Sequence, residues 1–196
     1  MKPLTQSLPT KVSLLGPTYR AFGSHATAGS PAPNYKKLLV IHKISRLIRF
    51  QRQGVLMRPY VDKAYREALT RTHNAHYGVI NCFTDIAKRM GKEVVLVPED
   101  ELNTEDEEAR KRMCDGVDFV VSMGGDHTFL KSQALLWDSE IPILGINTNR
   151  DVFEGVLNTH WIDFGKKEEQ TSNLLYAMED REALGFEKRS RILFER

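Results

Sequence analysis

The sequence predicts an α/β fold in which helices flank an open parallel sheet. Apolar runs rich in Val, Ile and Leu, typical of buried strands, alternate along the chain with segments whose apolar residues recur at helical spacing. Such alternation favours parallel strands joined by right-handed crossovers. The predicted strands are 35–41, 93–97, 117–122 and 141–146, and the main predicted helices are about 45–55, 73–90, 128–137 and 171–182.

The composition is that of an ordinary globular protein with room for one α/β domain. Of the 196 residues, 41% are hydrophobic and 28% are charged. No apolar run approaches the roughly 20 residues that a membrane span requires. Cys82 and Cys114 have no metal-ligand spacing and do not suggest a disulfide framework. The cysteines therefore favour a reducing compartment over secretion.

Charge is distributed unevenly along the chain, although the net charge is only +2. The first 61 residues contain ten Lys or Arg and no Asp or Glu, whereas all 26 acidic residues follow them. Residues 1–34 are also rich in Ser, Thr, Pro and Ala, which predicts a disordered leader, either a mitochondrial transit peptide or a plain tail. A basic leader on an acidic body is not typical of a nucleic-acid-binding domain. Neither nucleic acid nor a membrane is an expected partner.

The first predicted strand, 35–41, leads into a polar turn. Ser45 is placed to cap the helix that follows. Lys43 and Arg46, at the carboxyl end of the strand, could contact a nucleotide phosphate or belong to a solvated loop. Beyond this helix the periodicity weakens, and 65–71 is interpreted as a short helix or a mobile insert.

The predicted helix 73–90 carries its apolar residues at helical spacing and is ended by Gly91. His73 and His76 lie one turn apart in this helix and could share a face. Because no acidic or sulfur ligand stands at matching spacing, they suggest a metal site only superficially.

The second predicted strand, 93–97, is closed by Pro98. The acid-rich segment 99–112 follows it, with a short helix predicted from about Thr104. An acidic cluster of this kind is most often a solvated face, so no site residue is expected in it.

The third predicted strand, 117–122, breaks at Gly124 and Gly125, and a helical pattern begins at about Thr128. A strand, a glycine turn and a helix N-terminus in this order can direct backbone N–H groups at an anion, and glycine allows a positive φ and a close approach to a ligand. Asp126 lies in this turn, at the carboxyl end of a strand, where α/β sheets bind ligands. Beside a phosphate it would accept a proton from a hydroxyl or hold Mg²⁺. The alternative is that it only caps the helix.

The fourth predicted strand, 141–146, ends in Asn147 and Thr148. In a parallel sheet this end and the turn at 124–126 would lie side by side at one edge. Together they would form a crevice of nucleotide size.

These motifs together resemble the amino-terminal domain of NAD kinases, in particular the mitochondrial type. The loop 124–128, Gly-Gly-Asp-His-Thr, matches the family's Gly-Gly-Asp-Gly-Thr except at its fourth position. The strand and basic turn at 40–47, the Gly-Ile-Asn-Thr of 145–148 and the Glu-Gly-Val-Leu of 154–157 resemble further family segments in the right order. The glycine–aspartate loop is shared with lipid kinases and phosphofructokinases. The Gly-Ile-Asn-Thr run, however, is not what a lipid kinase would be expected to carry.

The resemblance covers about 36–196 and implies a Rossmann-like domain that phosphorylates the 2′-hydroxyl of NAD with ATP, giving NADP. Asp126 would be the general base, and Mg²⁺ would accompany ATP. A homo-oligomer is implied for any full-length form. The nucleotide-binding residues that the resemblance implies are Gly124, Gly125, His127 and Thr128 in the loop, Asn147 and Thr148 in the next turn, and, as weaker candidates, Lys43 and Arg46.

Two departures from the family pattern leave alternatives open. His127 replaces a glycine. It would be strained if the position needs a positive φ, and its imidazole would either occupy the space of a phosphate or donate a hydrogen bond to one. The chain also stops at about the point where the family's second domain begins, so 35–188 is expected to be the α/β domain and 189–196 the start of a truncated second one. The alternative to an active kinase is therefore a catalytically impaired nucleotide-binding fragment or a regulatory paralogue.

Overall fold

The computed structural model describes residues 35–57, 62–137, 139–148, 157–158 and 160–178, which all belong to one compact unit. Three predictions lie outside the described residues. They are the leader at 1–34, the end of the last helix at 179–182 and the start of a second domain at 189–196.

Five parallel strands form one sheet, which confirms the predicted fold class. They are β1 (Lys37–His42), β2 (Glu93–Pro98), β3 (Phe119–Met123), β4 (Ile143–Asn147) and β5 (His160–Trp161). Their order across the sheet is β2-β1-β3-β4-β5. From β1 the chain passes to one side for β2 and then returns to the other side for β3. The strand order therefore reverses between β1 and β3, and open α/β sheets bind ligands outside the carboxyl ends of the strands at such a point.

The described residues include five α-helices. They are α1 (Arg46–Arg52), α2 (Lys63–Arg89), α3 (Glu107–Cys114), α4 (Asp126–Leu135) and α5 (Lys167–Met178). Ser45 caps α1 as predicted, since its hydroxyl oxygen accepts the N–H of Ile48 at 3.4 Å. The helices α4 and α5, which follow β3 and β5, begin a few residues earlier than predicted. β5 was not predicted, because two residues are too few for a periodic pattern.

Helices cover both faces of the sheet, and alternate residues of β1 pack on opposite sides. Leu38 and Val40 belong to a core cluster with side chains of α2 and α5, whereas Leu39 and Ile41 belong to a second cluster with side chains of α4. All four are at most 1% exposed. A strand buried on both faces reads as a continuous apolar run, which explains why the sequence predicted it correctly.

α2 is one continuous helix of 27 residues. The segment 65–71 is part of it and is therefore helical, which was one of its two interpretations, whereas the helix start predicted at residue 73 was wrong. The helix begins at Lys63, with Asp62 as the N-cap that accepts the N–H of Tyr65 at 2.7 Å. Residues 63–67 are all exposed and carry no apolar stripe that could reveal a helix. Gly91, with a φ of +78°, ends α2 as predicted.

The length of α2 would suffice to cross a bilayer. Neither α2 nor any other helix of the described residues, however, is both long and apolar enough to do so.

The packing of α2 on the sheet predicts a large effect of truncating Phe83. This side chain is 0% exposed in the core beneath α2, so Phe83→Ala should lower the free energy of unfolding by about 3–5 kcal/mol. Phe164, which is 46% exposed, is the matched control, and Phe164→Ala should cost much less. Urea unfolding followed by circular dichroism measures both, and equal losses would contradict the described core.

Candidate functional site

The carboxyl ends of β1, β2 and β3 are joined by backbone hydrogen bonds on both sides of β1. The N–H of Lys43 donates to the carbonyl of Met123 at 3.0 Å, and the N–H of Glu99 donates to the carbonyl of His42 at 2.8 Å. The N–H of Gly124 donates to the carbonyl of Ile146 at 3.0 Å, which joins β3 to β4. The predicted neighbourhood of the turns after β3 and β4 is therefore confirmed. The turn after β1 lies against the other side of β3.

The two glycines of the turn after β3 do not use the positive φ that glycine allows. The described glycines with a positive φ are Gly54, Gly91 and Gly116, and Gly125 has an extended backbone at φ −101° and ψ −173°. Gly124 is required for a different reason, which is close packing. A Cβ at this position would lie 2.5 Å from the hydroxyl oxygen of Thr128 and 2.9 Å from the Cβ of Lys43.

Asp126 is the first residue of α4, and the N-cap is Gly125, for which no side-chain capping bond is formed. Asp126 is therefore not the N-cap residue of α4. Its Oδ1 instead accepts the N–H of Leu157 at 3.1 Å, from the segment that follows β4. The carboxylate is thus oriented by the backbone of a neighbouring segment, at a helix N-terminus where negative charge is favoured.

His127 is exposed and lies in the first turn of α4. No non-glycine residue in the described part of the chain has a positive φ, so the backbone strain expected at this position is absent. Its replacement of the family's glycine therefore changes the side chain at the helix N-terminus without straining the backbone.

Lys43 is half-buried beside several charged groups. Burial lowers the pKa of its amine, the carboxylate of Glu99 raises it, and the guanidinium groups of Arg46 and Arg49 lower it. Lys43, Arg46 and Arg49 are called the basic cluster below. Lys43 and Arg46 were predicted from sequence. Lys43 directly follows β1, and Arg46 and Arg49 lie on α1, the helix that begins just after it. Three cations at this edge of the sheet suit a phosphate-bearing ligand.

Glu99 was missed, because the acid-rich segment after β2 was interpreted as a solvated face. Glu99 is only 3% exposed. Its Oε2 accepts the hydroxyl of Thr128 at 2.7 Å, and its Oε1 lies 3.5 Å from a guanidinium nitrogen of Arg49. One feature of the sequence could have predicted Glu99 as a site residue. It directly follows a predicted strand, as Asp126 follows the glycine turn after β3.

The hydroxyl of Thr128 forms a hydrogen bond within the protein. The residue is 1% exposed, and its hydroxyl donates to Glu99. Thr128 therefore shapes the glycine turn from beneath it, since its side chain fills the space beside Gly124.

His76 was also missed as a site residue. Its Nε2 lies 2.7 Å from the carbonyl oxygen of Lys43, and its Nδ1 lies 2.6 Å from the hydroxyl oxygen of Thr148. Because a carbonyl can only accept, Nε2 carries the proton, and Nδ1 accepts the hydroxyl hydrogen of Thr148. Burial is the main cause that lowers the pKa of His76 to about 4. The imidazole is thus a neutral bridge between the turns after β1 and β4.

His73 does not share a ligand with His76. Its Nδ1 lies 2.7 Å from the hydroxyl oxygen of Ser45, and burial lowers its pKa. In the described ranges no group of three or more His, Cys, Asp or Glu side chains could hold a metal ion.

Asn147 and Thr148 lie at the end of β4 and are each 6% exposed. The carbonyl of Asn147 accepts the N–H of Ile162 at 3.3 Å, and the hydroxyl of Thr148 is bonded to His76. The structure therefore places both residues beside the glycine turn, as the strand order predicted. The carbonyl of Asn147 and the hydroxyl of Thr148 are engaged within the protein.

The parallel sheet, the reversal of strand order at β1 and β3, and the acidic residue after the glycine turn define a nucleotide-binding type of domain. Residues 38–175 match the family described as the ATP-NAD kinase N-terminal domain, and the chain belongs to this family. The match includes every predicted site residue, from Lys43 to Thr148. ATP and NAD are the substrates that the name of the family gives.

Two curated relatives, both named NAD kinase and from two strains of Porphyromonas gingivalis, are each 50% identical to this chain over 34 residues. The matched stretch is 17% of this chain and 12% of each relative. It therefore spans a small part of the relatives' length.

The different surroundings of the two glycines predict different tolerance of a methyl group. Gly124→Ala should lower the free energy of unfolding by about 1–3 kcal/mol, because the new Cβ would overlap Thr128 and Lys43. Gly125→Ala is the matched control, since no atom lies within 4 Å of the Cβ it would gain, and it should change stability by less than about 1 kcal/mol. Chemical denaturation of both variants measures the difference, and a larger loss for Gly125→Ala would be inconsistent with this turn.

Burial of a neutral His76 predicts that stability falls as the pH falls. The unfolded imidazole takes up a proton near the ordinary histidine pKa of 6.5, whereas the folded one has a pKa of about 4. Between these values the unfolded state binds more protons, so the free energy of unfolding should decrease by about 2 kcal/mol from about pH 7.5 to about pH 5. His76→Gln should remove most of this dependence in urea titrations, while His127→Gln, at an exposed histidine, should leave it in place. The prediction fails if the two variants show the same pH dependence.

Proposed function

We propose that this chain is an NAD kinase domain that transfers the γ-phosphoryl group of ATP to the 2′-hydroxyl of the adenosine ribose of NAD, giving NADP. The observation that carries the proposal is the position of Asp126. Its carboxylate lies at the carboxyl end of β3, in a glycine turn between the basic cluster after β1 and the buried polar turn after β4. Family membership supports the substrate pair.

Asp126 acts as the general base in this proposal. As the ribose oxygen forms its bond to the γ-phosphorus, the bond from that phosphorus to the β-phosphate oxygen breaks and ADP leaves. The hydroxyl proton passes to the carboxylate of Asp126. The hydrogen bond from the Leu157 N–H orients this carboxylate, which is the kind of positioning on which phosphoryl transfer chiefly depends.

The groups around Asp126 bind and orient the phosphates. The basic cluster supplies positive charge on the β1 side of the turn, and backbone N–H groups at the start of α4 supply a second source of anion stabilisation. Mg²⁺ would accompany ATP, because it is commonly bound through substrate phosphates and one or two carboxylates. Asp126 is the carboxylate of this turn that could assist in holding it, and the charge of the ion would offset that of the phosphates.

Catalytic impairment is the second candidate, and His127 is the observation that favours it. The imidazole projects from the first turn of the helix whose N-terminus would face a phosphate. An imidazole that fills the phosphate space would leave a nucleotide-binding module or a regulatory relative of an NAD kinase. An imidazole that donates a hydrogen bond to the phosphate would instead support turnover.

Two further features remain proposals. A mitochondrial location is supported by the basic, acid-free composition of residues 1–34. A homo-oligomer is proposed for a full-length form, on the resemblance to NAD kinases alone.

The proposed role of Asp126 predicts that Asp126→Asn abolishes NADP formation. With NAD, ATP and Mg²⁺, kcat should fall by about 100-fold or more, because a general base contributes on the order of 10² to 10⁴ to the rate. Asp85→Asn, at an exposed position on α2, is the control and should retain activity. NADP formation is measured by coupled dehydrogenase assay, and nucleotide binding by calorimetry.

His127→Gly in the same assay separates the two candidates. A higher kcat would show that the imidazole obstructs the phosphate, and a lower kcat that it assists. If neither the natural chain nor His127→Gly makes NADP while both still bind ATP or NAD, the kinase proposal is wrong and the binding module is favoured. Phosphorylation of a lipid in place of NAD would favour a lipid kinase.

A further inference from the structure

Glu99 occupies an unusual position for a carboxylate next to a proposed phosphate site. It follows β2 directly, and its N–H is bonded to the carbonyl of His42 at the end of β1. Its side chain is almost entirely buried. Burying a carboxylate is costly unless hydrogen bonds and opposite charges compensate it, so its partners identify what the group does.

The partners of Glu99 all belong to the proposed site or to the helices that carry it. Oε2 accepts the hydroxyl of Thr128, and Oε1 forms an ion pair with Arg49 of the basic cluster. Its carbonyl oxygen accepts the ammonium group of Lys131, on α4, at 3.4 Å. The negative charge of Glu99 also raises the pKa of the Lys43 amine, against the effect of burial, which lowers it.

Thr128 and Lys43 are also the two residues that enclose Gly124. A Cβ on Gly124 would meet the side chains of both, so the backbone of the turn is packed between them. Glu99 engages one through a hydrogen bond and the other through charge. Its carboxylate therefore acts on both sides of the turn that leads directly into Asp126.

We propose that Glu99 is a positioning residue of the phosphotransferase site, which holds the glycine turn and thereby Asp126 in place through Thr128 and Lys43. The inference rests on the proposed function for its kinetic consequence but not for its structural one. Glu99 does not itself contact substrate. It serves as an internal anchor, whereas Asp126 accepts the proton.

The test compares Glu99→Gln with Glu101→Gln in the 196-residue chain. Gln retains an oxygen that can accept the Thr128 hydroxyl but lacks the charge that faces Lys43 and Arg49, and Glu101 is an exposed acid two residues further on. We expect Glu99→Gln to lower kcat about 10- to 100-fold, as small misplacements of catalytic groups do. KM for NAD should change by less than about threefold, because substrate binding is retained. Glu101→Gln should leave both constants unchanged.

Hydrogen–deuterium exchange provides a readout that does not need turnover. The amides of Gly124 and Phe129 donate to the carbonyls of Ile146 and Gly125, and both should exchange at least about 10-fold faster in Glu99→Gln, since the turn opens locally. Thr128→Val, which removes the hydroxyl at nearly constant volume, should reproduce this effect. Thr128→Ser, which keeps the hydroxyl, should not.

The outcomes distinguish the inference from the proposed function. Unchanged kcat and unchanged exchange in Glu99→Gln would overturn the positioning role. If the natural chain makes no NADP, the proposed function fails, and faster exchange confined to Glu99→Gln and Thr128→Val would still support the inference. If Glu99→Gln does not fold, the comparison of Thr128→Val with Thr128→Ser tests the positioning role. Equal exchange in those two variants would overturn it.

Discussion

The bridge made by His76 is the contact on which the geometry of the site depends. β1 and β4 are separated in the sheet by β3, yet the imidazole bonds to the carbonyl of Lys43 after β1 and to the hydroxyl of Thr148 after β4. The turns on either side of β3 are therefore fixed relative to each other, and the glycine turn emerges between them. Only a neutral imidazole can donate to the carbonyl of Lys43 and accept from the hydroxyl of Thr148. Burial lowers the pKa of His76 and so keeps the ring neutral.

The two carboxylates at this end of the sheet have similar positions in the chain and different surroundings. Each follows a parallel strand, Glu99 after β2 and Asp126 after β3. Glu99 is held by side chains inside the protein, among them a hydroxyl and a guanidinium group. Asp126 is held by a backbone N–H and keeps partial contact with solvent. This difference supports the proposed roles, an internal one for Glu99 and a chemical one for Asp126, because a general base must be reached by a substrate hydroxyl.

The sequence was sufficient for β1 to β4, because each of these strands contains an apolar run that produces a signal within a few residues. It was not sufficient for the polar interior of the site. His76 and Thr148 are 72 residues apart, and Glu99 and Thr128 are 29 apart. Local periodicity cannot show that such pairs meet. A polar residue in a polar segment therefore looks solvated until the fold supplies its partner. The start of α2 was not predicted for a related reason. Its first turns are exposed and lack an apolar stripe, so there is no helical period to detect.

The turn at 124–128 shows why a glycine motif must be analysed residue by residue. Gly124 is confined by its neighbours, whereas Gly125 has open space around it and a backbone conformation that other residues can adopt. The helix begins at Asp126, so position 127 is helical and accommodates a histidine without strain. Histidine at position 127, where the resemblance implies glycine, therefore changes the side chain at the N-terminus of α4, where a phosphate is proposed to bind. Under the proposed function, the choice between a kinase and a binding module is therefore a question about the His127 imidazole, because the backbone of the turn is not strained.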